Sequence, residues 1–174
     1  VKSLYENMLN KEGYTNNNGA IGSVHDYFLD QSNGKFDLTF DVIGPVKLKH
    51  PYKYYGEHTS RQNDANAPQM IIDACNAIKE QVDFRQYDWD GDGEVEQVYV
   101  VYAGEGEATG GNANTIWPHK YSLSDVGLNA LTFNGITINT YACSNEIIRA
   151  QLNGKERVFY SGIGTICHEF SHCL

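Results

Sequence analysis

The chain has 174 residues and a formal net charge of −9. That length fits one compact domain with a real core. Its acidic balance argues against nucleic acid and anionic membranes as partners. No stretch of about 18 apolar residues occurs, so no helical membrane span is expected.

The sequence opens at Val1 without a basic-then-apolar leader, which points to removal of a leader or pro-segment, or to a cut. Ser23 and Asp26 have the spacing of a capping box. They predict a short helix with Val24, Tyr27, Phe28 and Gln31 on one face and Gly34 as its stop. Asp37–Val42 alternates strictly, with Leu38, Phe40 and Val42 on one side, and is expected to be a half-buried strand ending at Gly44-Pro45. A second helix is expected near Pro68, with Ile71, Ala74, Cys75, Ile78 and Val82 as its apolar stripe. On that stripe Cys75 reads as a core residue.

Val95–Ala103 is almost continuously apolar and reads as a central strand. Asn134-Gly135 between Leu131–Phe133 and Ile136–Ile138 is a tight-hairpin signal. From about Gly164 the pattern is helical and runs to the end of the sequence. Strands and helices are interspersed, so a mixed α/β (α+β) domain is expected, one sheet backed by helices.

Two stretches carry chemistry. His168-Glu169-Phe170-Ser171-His172 is an HExxH sequence. Histidines four apart on a helix differ by about 40° around its axis, so both imidazoles can reach one zinc ion. The intervening Glu169 is placed to act as general base on the attacking water. On a helical wheel Ile163, Ile166, Cys167, Phe170, Cys173 and Leu174 form one apolar arc, and His168 and His172 lie on the other side. Glu169 falls at the edge of the histidine face, and Cys167 falls on the core side with no metal role.

Asp88-Trp89-Asp90-Gly91-Asp92-Gly93-Glu94-Val95-Glu96 sets acidic side chains at alternating positions. Calcium takes six to eight oxygens, and this spacing wraps them around one ion, with Gly93 at the sharp turn. Asp88, Asp90, Asp92, Glu94 and Glu96 are the expected ligands. Tyr99 stands where an EF-hand has its closing glutamate, so the loop is a calcium site of another kind, with a structural role.

Other features carry less. Trp117-Pro118-His119 could line a cleft, with His119 contacting substrate, although a structural histidine at a strand end is the preferred reading. Gly104, Gly106, Gly110 and Gly111 lie in a loose stretch without a phosphate-loop lysine, read as a mobile rim rather than a phosphate site. Cys75, Cys143, Cys167 and Cys173 allow three full pairings, and the sequence does not choose among them.

Taken in order, Gly34-Lys35-Phe36, Gly44-Pro45-Val46, the Asp88–Glu96 loop running into Val-Tyr-Val-Val-Tyr-Ala-Gly, Trp117-Pro118-His119 and Gly-Ile-Gly-Thr before HEFSH resemble the immune inhibitor A (M6) family of bacterial secreted metallopeptidases. The resemblance spans about Tyr27 to Leu174. It implies a zincin-type catalytic domain, 1–174 being its incomplete upper part, with a catalytic zinc, bound calcium, secretion and cleavage of proteins or peptides by a monomer. It carries zinc ligation to His168 and His172 and the base role to Glu169. It places the third zinc ligand, a carboxylate, beyond Leu174, so the 174-residue piece alone would be inactive. A calcium-dependent adhesion module with a non-functional HExxH is the alternative.

Overall fold

The computed structural model describes residues 1–16, 19–60 and 62–174. The chain forms two compact units: Val1–Pro45 with Gly162–His168, and Val46–Ser161 with Glu169–Leu174.

In the first unit, helices α1 (Lys2–Asn10) and α2 (Val24–Gln31) bury Tyr5 and Met8, and Val24 and Phe28, respectively. Helix α2 starts where the capping box predicts. The Asp26 backbone N–H donates to Ser23 Oγ at 3.1 Å, and the Ser23 N–H donates back to Asp26 Oδ2 at 2.8 Å. Gly13 N–H donates to the same carboxylate oxygen at 2.9 Å. Burial opposes ionisation of Asp26, but these donors outweigh it and hold the carboxyl below its ordinary value. The α2 end is closed by Gly34, at φ +75°, whose N–H reaches Leu29 O at 2.8 Å.

The expected strand at Asp37–Val42 does not form, although its alternation is real. Leu38 is buried, and Asp37, Thr39 and Asp41 are exposed. A strand needs a partner backbone, and here a side chain takes that place. Asn10 Nδ2 donates to Phe40 O at 2.9 Å, and Phe40 N–H donates to Asn10 Oδ1 at 2.7 Å. One amide satisfies both polar groups of Phe40 and leaves no ladder to propagate.

The second unit holds a mixed four-stranded sheet. Strands β1 (Val98–Glu105), β2 (His119–Ser122), β5 (Thr140–Leu152) and β6 (Lys155–Tyr160) all pair through β5. β1 runs parallel to β5, with Val98 beside Tyr141 and Tyr102 beside Asn145; β2 and β6 are antiparallel to it. The mixed α/β class is therefore as expected, but the centre of the sheet is not. Among the described residues β1, read as the central strand, has a ladder only on its β5 side. The central strand is β5, whose Tyr141–Asn145 run is wholly buried.

Strands β3 (Leu131–Phe133) and β4 (Ile136–Ile138) make the expected hairpin. Asn134 and Gly135 sit at φ +54° and +86°, the left-handed pair that a two-residue turn of this hand requires. Asn153-Gly154 closes the β5–β6 hairpin in the same way, at φ +52° and +72°. That second signal is equally visible in the sequence.

After the short helix α3 (Tyr52–Tyr55), helix α4 (Ala67–Ile78) carries Pro68 in its first turn and buries Met70, Ile71 and Cys75. Ile71 and Cys75 share one core with Tyr102, Ile138 and Tyr141 of the sheet and hairpin and with Ile116 ahead of β2. Burying a side chain such as Ile71 contributes about 1.5–3 kcal/mol relative to leaving it in water. Phe84 stacks on Phe133 with ring centroids 5.2 Å apart, tying the Phe84–Tyr87 turn to the hairpin.

The glycine stretch after β1 is packed, not loose. Gly111 N–H donates to Gly106 O at 3.0 Å and Glu107 N–H donates to Ile116 O at 3.1 Å. A Cβ on Gly106 would stand 2.7 Å from Asn145 Oδ1, so only glycine lets the loop approach β5 this closely. Asn145 Nδ2 in turn donates to Ile147 O at 2.8 Å and Ser161 Oγ at 2.9 Å, which explains a polar residue in the central strand.

Candidate metal centre

Helix α5 (Ile163–Ser171) carries the HExxH residues. It ends at Ser171 rather than running to the last residue; His172 and Cys173 lie in the turn that follows. The wheel is correct in its main lines. Ile166, Cys167 and Phe170 are buried, while His168 and His172 are exposed. Leu174 departs from it, at 65% exposure, because it lies past the helix end, where the 100° periodicity no longer applies.

Glu169 is 8% exposed, a carboxylate turned largely out of water between two accessible imidazoles. Each of His168, Glu169 and His172 offers a ligand atom, and these atoms lie within 4.8 Å of one another. The donor set fits zinc chemically, since neutral imidazole is among its preferred ligands.

Burial pushes the thiols of Cys75 and Cys167 up to about 12. A thiolate is what binds metal or attacks, so both act as small apolar core groups at neutral pH. Among the described residues, Cys75, Cys143 and Cys173 are free thiols.

His119 opens β2 with both ring nitrogens engaged. Nδ1 lies 2.7 Å from Trp117 O, and Nε2 lies 3.2 Å from Tyr141 Oη. A carbonyl can only accept, so Nδ1 carries the proton and Nε2 accepts from the tyrosine. These bonds support the structural reading of the ring over a contact with substrate.

The acidic loop folds on its own carboxylates. Asp88 accepts from Gly91 N–H at 2.8 Å and Gly93 N–H at 3.1 Å, and Glu96 Oε1 accepts from Trp89 N–H at 2.7 Å and Asp90 N–H at 3.1 Å. Gly91 and Gly93 take φ +79° and +88°, so the sharp turn falls where the spacing places it. Asp88, Asp90 and Glu96 bring ligand oxygens within 4.8 Å of one another. Asp92 and Glu94 are outside that group, and Asp92 Oδ1 instead accepts from Glu94 N–H at 2.8 Å. Glu96 Oε2 is buried and has no hydrogen bond. The loop is also pinned to β4, through Val95 N–H to Thr137 O and Thr137 N–H to Gly93 O, both at 2.8 Å.

A third group, His58, Asp64 and Glu107, has the same closeness of ligand atoms. No motif spacing links these positions, and nothing in the sequence singles them out.

No helix among the described residues is long and apolar enough to cross a membrane. A comparison with curated proteins finds no match. The family described as "Immune inhibitor A peptidase M6, catalytic domain" matches residues 1–174. That match covers the whole sequence given, and the chain belongs to the immune inhibitor A (M6) family of metallopeptidases.

Proposed function

We propose that this chain is the catalytic part of a secreted bacterial zinc endopeptidase in which His168 and His172 hold the metal and Glu169 is the general base. The observation that carries the reading is the placement of the buried Glu169 carboxylate beside two exposed imidazoles one helical turn apart. A bound zinc ion would polarise the scissile carbonyl and make water a better nucleophile. Glu169 takes the proton from the attacking water and delivers it to the departing amine. The two imidazoles orient on one side of α5 because Ile166, Cys167 and Phe170 hold the opposite side in the interior. A catalytic zinc takes three protein ligands, so a third joins His168 and His172 while Glu169 is kept for the proton. Substrates are proteins or peptides, and the enzyme acts as a monomer. The adhesion-module alternative is left without support, because the matching family is a peptidase family.

The test is zinc content by mass spectrometry alongside casein hydrolysis in the intact protein. His168→Ala should remove one equivalent of zinc and the activity with it. Unchanged zinc in that variant would end the assignment.

Calcium at the acidic loop belongs to the same proposal, with Asp88, Asp90 and Glu96 as the carboxylate ligands. The buried, unbonded Glu96 Oε2 supports it. Saturating calcium at about 100 times its Kd stabilises a folded protein by about 2.7 kcal/mol. For a chain of this size that corresponds to a rise in Tm of about 5–10 °C. Asp90→Ala should abolish the rise; a variant that still responds like wild type would show that the loop is only a turn.

A further inference from the structure

His58, Asp64 and Glu107 lie far apart in sequence and meet in the second unit. Their side chains are mostly out of solvent, at 22%, 11% and 23% exposure. His58 Nε2 lies 3.2 Å from Glu107 Oε2 and 3.6 Å from Asp64 Oδ1.

Two readings compete. In the first, His58 is an imidazolium paired with both carboxylates. A charge-assisted N–H···O bond would then close to about 2.7–2.9 Å along the N–H direction. Both separations are longer than that, and Nε2, a buried atom, makes no hydrogen bond among the described residues. Asp64 Oδ1 is likewise buried without a hydrogen bond, while the other oxygen, Oδ2, accepts from Trp117 N–H at 3.0 Å. The carboxylate is therefore held by one oxygen, and the second is left unsatisfied toward His58.

In the second reading the three atoms share a cation. Ligands at about 2.0–2.1 Å from a tetrahedral ion stand about 3.3–3.4 Å from each other. The two measured separations, 3.2 and 3.6 Å, bracket that figure. Two carboxylates around a neutral imidazole carry two negative charges, which one divalent ion balances, and two buried orphan atoms gain a partner. The imidazole selects the ion: calcium and magnesium take oxygen ligands, whereas one nitrogen with two carboxylates suits zinc.

We propose that His58, Asp64 and Glu107 form a second zinc site, separate from the α5 motif, that fastens His58 and Asp64 to the loop after β1 and, through Asp64 and the Trp117 N–H, to the start of β2. Its role is to hold these segments in place.

The experiment titrates Zn2+ into the intact protein carrying His168→Ala and His172→Ala, with calcium in excess to fill oxygen-only sites. One equivalent should still bind. Adding His58→Gln, or separately Glu107→Gln, should weaken that binding by at least about tenfold, the loss expected when a ligand is removed. Circular dichroism checks that each variant is folded. If the double variant fails to fold, the otherwise unaltered protein serves, where His58→Gln should lower bound zinc by one equivalent. Absence of the remaining equivalent, or binding untouched by His58→Gln, would overturn the proposal and leave an ion-pair triad centred on a protonated His58.

Discussion

Glu169→Gln is expected to keep its zinc and lose peptidase activity by about 10³-fold, within the range that a positioned general base supplies. Glutamine matches glutamate in shape and hydrogen-bonding length, so the packing of α5 around this 8% exposed side chain should survive. What it lacks is a basic lone pair that can take a proton near neutral pH. His168 and His172 are untouched, so a fall in zinc content is not expected. Casein hydrolysis and zinc content measured on the same preparation separate loss of the base from loss of the site. Activity near that of wild type would remove Glu169 from the mechanism.

The second large effect is on stability. Phe170→Ala is expected to cost about 3–5 kcal/mol, the usual range for deleting a buried aromatic side chain and leaving a cavity. Phe170 is 1% exposed and adjoins Glu169 in sequence. Leu174→Ala is the internal control. Both residues fall on the apolar arc of the helical wheel, yet Leu174 is 65% exposed, and its truncation should change stability by no more than about 0.5 kcal/mol. Denaturant midpoints for the two variants decide the matter. Equal effects would mean that burial along α5 follows the wheel beyond Ser171, contrary to the structure.

The elements legible in the sequence are those whose bonds close between near neighbours. The Ser23–Asp26 capping box, Pro68 in the first turn of α4, the Asn134-Gly135 turn and the two faces of α5 each depend on residues within about one or two turns of chain. The acidic loop belongs with them in its backbone, because Asp88 and Glu96 bond to N–H groups no more than seven positions away. Which of its carboxylates converge is less local, and Asp92 and Glu94 turn out to stand aside.

Tertiary structure decided the rest, because strand pairing and burial depend on residues distant in sequence. Asp37–Val42 has the alternation of a strand, but Asn10, thirty positions away, occupies the hydrogen bonds that a ladder would need. β1 looks central by its apolar run. β5 takes that place with Ser144 and Asn145 buried in it, and the Asn145 Nδ2 group is satisfied by Ser161 Oγ and Ile147 O. Of the glycines after β1, Gly106 is held against Asn145 and Gly111 against Thr115 and Gly106, whereas Gly110 has open space around it. His58, Asp64 and Glu107 are the extreme case: only the folded chain brings a nitrogen and two carboxylates from three separate positions into one partly buried cluster.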